Sequence, residues 1–100
     1  MTAYVISEVR VLDEALAQRY RELASDSIAR YGGRYLVRAA QPEVAEGTWD
    51  ARRRLVIVEF PTLERLREWY SSTEYAEALE IREAALDRRL VFVEGAVTSN

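Results

Sequence analysis

Apolar and polar residues alternate from Ala3 to Val11 with much β-branched content, the period of a strand. Beyond Asp13 the period lengthens: Leu16, Tyr20, Leu23, Ala24, Ser27, Ile28 and Tyr31 recur at the three- and four-residue spacing of one helical face. Asp13 is a suitable N-cap because its carboxylate accepts a free first-turn N–H, and Gly32 can take the left-handed conformation that ends a helix. A strand from Arg34 to Ala39 follows and is broken by Gln41-Pro42; the connection up to Arg53 holds a short extended piece at Glu43 to Glu46. Leu55 to Phe60 is the clearest strand, closed by Pro61. Thr62 caps a helix carrying Leu63, Leu66, Trp69 and Tyr70, which Ser71-Ser72-Thr73 interrupts, and Ser71 with Glu74 has capping-box spacing. Tyr75, Ala78, Leu79, Arg82 and Leu86 mark a further helical stripe, and Arg89 to Glu94 supplies a last strand before a polar tail.

The order β-α-β-β-α-β predicts one α+β domain over residues 1–100. It is a ferredoxin-like sandwich, a four-stranded antiparallel sheet with its helices on one face. Each strand carries apolar residues on both faces: Tyr4 and Ile6 against Val5, Val9 and Val11, for instance, or Leu55 and Ile57 against Val56, Val58 and Phe60. A one-sided antiparallel sheet alternates apolar with polar instead. The face without helices would expose roughly 700 Å² of apolar surface, above the roughly 300–600 Å² of an ordinary monomer's largest patch. A homodimer packed sheet against sheet covers that face, because a twofold axis lets one patch cover its own copy.

Composition narrows the chemistry. The 100 residues include no His and no Cys, and all 14 basic residues are Arg. This removes the usual zinc sites, thiolate nucleophiles, His general bases and His or Cys haem ligation, so neither a metal nor a cofactor is expected. Carboxylates, Tyr, Arg and hydroxyls remain, and these can polarise a carbonyl or hold an oxyanion. No G-x-S-x-G, P-loop or G-x-G-x-x-G motif occurs. A net charge of -3 argues against nucleic acid as a partner. The longest strongly apolar run, Leu55 to Val58, is far shorter than a membrane span, so no membrane is expected and a cytoplasmic location is the default.

Several segments together carry a resemblance: Ala3-Tyr4-Val5-Ile6, Tyr31-Gly32-Gly33-Arg34-Tyr35, Glu46-Gly47, Glu59-Phe60-Pro61, Trp69-Tyr70-Ser71-Ser72 with Tyr75, and Val93-Glu94-Gly95. In order and spacing they resemble the domain of unknown function 1330 family over nearly the whole chain. The resemblance implies a dimeric α/β barrel of ferredoxin-like type and no established reaction. Ala39-Ala40 stands where family members often carry Gly-Gly, and Leu16 replaces a common aromatic. The wider superfamily includes cofactor-free monooxygenases of aromatic polyketides, lactone isomerases and haem-dependent chlorite-decomposing enzymes, the last disfavoured by the absence of His. Fold alone does not choose among them.

Candidate site residues follow from these elements. Even spacing puts Arg34 and Arg38 on one face of their strand, where paired guanidiniums hold a carboxylate or phosphate; the plainer reading is a solvated edge strand. Glu8 and Glu59 sit in otherwise apolar strands, where burial would raise a general base toward neutrality, unless each pairs with an Arg. Trp69, Tyr70 and Tyr75 flank the helical break, able to stack on a planar ligand or to fill the core. Trp49 reads as a dimer contact or lid, and Arg52-Arg53-Arg54 as a solvated loop end.

Two functions stay open. One is a small-molecule-binding homodimer, extending to a cofactor-independent enzyme acting on a small anionic or aromatic compound. There Arg38 orients an oxyanion, Glu59 is the base, and Tyr31, Tyr35, Trp69 and Tyr70 hold a ring. The other is a non-catalytic oligomerisation or interaction module. A deep, partly polar cavity favours the first and a packed interior the second.

Overall fold

Helix ends set the frame. In a computed structural model that describes residues 1–96, Asp13 Oδ1 accepts from Leu16 N–H at 3.0 Å and starts helix α1, Glu14–Arg30. Thr62 Oγ1 starts α2, Leu63–Tyr70, by accepting from Arg65 N–H, and Ser72 Oγ starts α3, Thr73–Ala85, by accepting from Tyr75 N–H. The cap of the third helix is therefore one residue later than the Ser71–Glu74 spacing predicts: Ser71 Oγ donates back to Arg67 O at 2.9 Å, closing α2 instead. Gly32, at φ +78°, ends α1 in the left-handed region. Gly33 is required for a different reason, since a Cβ there would sit 2.8 Å from both Ile28 and Phe60.

The strands are β1, Ala3–Val11; β2, Arg34–Ala40; β3, Arg54–Phe60; and β4, Leu86–Glu94. They form one antiparallel sheet in the order β2-β3-β1-β4, the ferredoxin-like arrangement. No strand forms at Glu43 to Glu46, where the chain is irregular and exposed. The last strand begins at Leu86, three residues before the expected start, and Leu86 is a buried sheet residue instead of part of the helical stripe. Part of the polar tail, residues 97–100, lies outside the described residues.

Pairing registers sort the faces. Val5 opposes Val58 and Phe92, and Ser7 opposes Val56 and Leu90; these positions face the helices. Tyr4, Ile6, Leu55, Ile57, Val91 and Val93 take the alternate positions, and Val91 and Val93 are exposed. The apolar character of both faces is thus real. On the helix side, Ala3, Val5, Val58 and Phe60 pack with Leu66, Trp69 and Tyr75. Helices α1 and α3 pack directly on each other through small residues, Ala17 and Ala24 on one and Ala78 and Ala85 on the other.

Strand β2 departs from simple alternation. Tyr35 pairs with Val58, Val37 with Ile57 and Ala40 with Leu55, so each interval contains one extra β2 residue, a β-bulge. The first bulge puts Arg34 and Arg38 on opposite faces, overturning the expectation from their even spacing. Arg34 pairs with Glu59 on the open face at 2.9 Å, while Arg38 stacks on the Tyr35 ring at 4.1 Å on the helix side. In the second bulge Ala39 takes φ +51°, a left-handed conformation unfavourable for a residue with a Cβ. Ala39→Gly is expected to stabilise the protein by about 0.5–1 kcal/mol in chemical denaturation, relief of the Cβ clash outweighing the added freedom of the unfolded chain. A destabilised variant would show the bulge to be unstrained.

Candidate functional site

The space between α1 and the sheet is not filled. Ala24 and Ser25 on α1, and Val5, Ser7 and Val9 on β1, are too small to meet across it, and a cavity of about 590 Å³ results. That is within the roughly 300–1,000 Å³ of small-molecule sites. Trp69, Val56, Val58, Leu86 and Leu90 give it an apolar wall.

Six arginines line it, Arg10, Arg21, Arg38, Arg52, Arg54 and Arg88, and among the described residues no carboxylate does, although the chain is acidic. Arg10, Arg21 and Arg52 are engaged with Asp87, Glu14 and Asp50. Asp50, held by two hydrogen bonds from the Arg52 side chain and one from its backbone, is pulled down to about 2. Arg54 donates to the backbone carbonyls of Ala51 and Arg53. Arg38 and Arg88 have no carboxylate partner among the described residues.

Arg88 reaches up from β4 between the helices and donates to Tyr20 Oη at 2.5 Å and to Tyr75 Oη at 2.8 Å. The two phenols also hydrogen-bond each other at 2.5 Å. Burial pushes the Tyr20 hydroxyl far above the ordinary tyrosine range, reinforced by Tyr75 and opposed by Arg88. Burial works against the Arg88 charge, but the two phenol oxygens more than offset it and hold the guanidinium above its ordinary value. The cluster therefore carries the Arg88 positive charge beside a Tyr20 hydroxyl that burial keeps from ionising. Counting protons leaves one over, since both oxygens accept from Arg88 and a single O–H joins the pair. Either phenol can donate to the other, and Tyr20 is the member of the pair that lines the cavity. The arrangement offers donors and charge to an oxyanion.

Of the residues singled out from sequence, Arg38, Tyr35 and Trp69 line this cavity. Glu59 does not: it lies on the open face, paired with Arg34, because Val58 and Phe60 on either side of it point to the helices. Glu8 pairs with Arg89 on the same open face at 3.8 Å. Tyr31 sits at the end of α1, donating to Glu74 at 2.7 Å beneath the Arg65 guanidinium. That bond lowers the Glu74 carboxyl against the opposing effect of desolvation and, aided by desolvation and the Glu74 charge, raises the Tyr31 hydroxyl. Tyr70 stacks edge-on against Phe92 with centroids 5.4 Å apart. Trp49 donates to Arg53 O at 3.2 Å. Sequence reasoning missed Arg88, Tyr20 and Ser7. The signal for Arg88 was present as Leu86-x-Arg88-x-Leu90, an arginine between two inward apolar residues, and starting the strand at Arg89 concealed it.

Tyr20 makes the protein pH-sensitive in a defined direction. Its folded value is raised, so its contribution to stability is complete below the unfolded value near 10.0 and declines as pH rises above it. The expected decline is up to about 1.4 kcal/mol per pH unit. Absorbance titration should find at least one of the six tyrosines un-ionised until the chain unfolds, and one fewer such residue in Tyr20→Phe. Ionisation of all six while folded would contradict this geometry.

Comparison with known proteins shows where this fold occurs. A protein of unknown function from Rhodopseudomonas palustris matches with a TM-score of 0.74 at 23% identity, covering 97% of this chain and 84% of that one. The cofactor-independent oxygenase SnoaB from Streptomyces nogalater matches with a TM-score of 0.68 at 11% identity, covering 97% of this chain and 95% of that one. A dimeric protein of unknown function and ferredoxin-like fold from Bacteroides fragilis matches with a TM-score of 0.62 at 16% identity, covering 94% and 96%. No curated protein is significantly similar in sequence. The family model for the domain of unknown function DUF1330 matches residues 2–96, and the chain belongs to that family.

Proposed function

We propose that this protein binds a planar aromatic anion between α1 and the sheet, as a homodimer joined through the open sheet faces. The observation that carries the reading is a large, mainly apolar cavity with arginines and hydroxyls but no described carboxylate in its lining, Arg88, the Tyr20 hydroxyl and Arg38 being the groups placed to hold an anion. An anionic headgroup would dock on Arg88 and Tyr20, and its ring would lie against Trp69 and the valines. Arg38, parallel to nothing but Tyr35, is free to swing onto a second oxygen. With Glu59 outside, the described lining holds no carboxylate to act as a base, which supports binding over proton abstraction. A filled interior would have supported the alternative of a purely structural oligomerisation module.

The probe is 2-naphthoate, followed by Trp fluorescence and calorimetry. Arg88→Ala is expected to weaken it roughly 10- to 100-fold, the range of a charge-assisted hydrogen bond, and Arg38→Ala to weaken it less. Glu59→Gln should bind as the wild type does, and neutral 2-naphthalenemethanol should not distinguish Arg88→Ala from it. Equal naphthoate affinity in all these proteins would refute the reading.

The dimer is supported by the open face, where Val91 and Val93 are exposed beside Ile6 and Ile57. Its roughly 700 Å² approaches the roughly 800 Å² each partner contributes to a standard interface. The structural neighbour from Bacteroides fragilis is itself described as dimeric. Sedimentation at micromolar concentration should give twice the 11.5 kDa chain mass, and Val91→Glu should shift it to monomer. A wild-type monomer would refute the assembly.

A further inference from the structure

We infer that Ser7 is a specificity-determining residue of this cavity, selecting aromatic acids that carry a second oxygen, hydroxyl or keto, on the ring. The inference rests on the proposed binding function and goes further, to the chemical class of the ligand.

Ser7 lies near the middle of β1, 3% exposed, on the cavity floor. Its Oγ has no hydrogen-bond partner among the described residues. The other buried serine shows what a structural serine looks like here: Ser27 Oγ accepts from Trp69 Nε1 at 2.9 Å and donates to Ala24 O at 2.8 Å. The residues before, after and directly opposite Ser7 on its face are aliphatic, Val5 and Val9 along the strand, Val56 and Leu90 across it. In that setting an unpartnered hydroxyl destabilises the folded chain, and alanine would pack as well. The hydroxyl is explained if its partner arrives with the ligand.

Position sets what that partner is. Arg88 opposes Val9, two residues from Ser7 on the same face, which puts the Ser7 and Arg88 Cα atoms at the diagonal spacing of about 7–8 Å. The Arg88 side chain rises from there toward Tyr20 and Tyr75. An anionic group on Arg88 thus leaves the ring over the floor, with a substituent on its far edge directed at Ser7. A serine hydroxyl both donates and accepts, so it serves a phenol or a ketone alike.

The test compares 2-naphthoate with its 5-, 6- and 7-hydroxy derivatives on wild type and Ser7→Ala. In the wild type at least one hydroxy isomer should bind about 3- to 10-fold tighter than the parent, the size of one neutral hydrogen bond. Ser7→Ala should abolish that preference while holding the parent within about twofold. The unliganded variant should melt no lower than the wild type, since the lost hydroxyl has no protein partner. Parent binding through Arg88 with no preferred isomer, or a preference that survives Ser7→Ala, overturns the inference about Ser7 alone. Failure of every naphthoate to bind overturns the cavity reading and this inference with it.

Discussion

A guanidinium is held between a helix layer and a sheet with two phenols beside it and, among the described residues, no carboxylate. Arg88 is the constraint to which the surrounding features answer. A half-buried charge of this kind normally costs stability unless an opposite charge is close. Here the oxygens of Tyr20 and Tyr75 satisfy its hydrogen bonds without neutralising it, and Tyr20 is too deeply buried to ionise. The residual charge faces a cavity whose described walls contain no acid. An arrangement that leaves a positive field beside an apolar wall is suited to receive an anion.

Keeping that space open depends on how α1 is supported. The helix packs along α3 and is held near its C-terminal end by the Trp69 bond to Ser27. At its end the Gly32-Gly33 turn packs Gly33 against Phe60 and Ile28. These contacts set the height of α1 above the sheet, so it need not collapse onto it. The small residues that face the gap then define a cavity instead of a defect. The same sheet shows its other apolar face outward, where Glu8, Arg34, Glu59 and Arg89 form ion pairs around the aliphatic centre.

Much of the fold was legible in the chain because its signals are local. Asp13 and Thr62 cap where their spacing says they should, and the two-sided apolar pattern of the strands identified a sheet apolar on both faces. What failed was relative phase. Two bulges in β2, invisible to an alternation count, sent Arg34 and Arg38 to different faces. A strand start misplaced by three residues hid Arg88, the residue with most chemical consequence. Glu59 was drawn into the candidate site by its residue type, and only the register with Tyr4 and Arg34 places it outside. Arg38 and Tyr35 on β2 share one space with Trp69 on α2 because two separate elements converge, which no single stretch of sequence encodes.

The central claim is that the Arg88 charge anchors an anionic ligand in the cavity. Its most direct test is the thermal stability of Arg88→Met against wild type, each with and without saturating 2-naphthoate. The account predicts that the unliganded variant loses no more than about 1–3 kcal/mol, the cost of leaving the Tyr20 and Tyr75 oxygens without their donor. It also predicts that the stabilisation naphthoate confers on the wild type is absent from the variant. A variant that loses several kcal/mol on its own, or that gains as much from naphthoate as the wild type does, would contradict it.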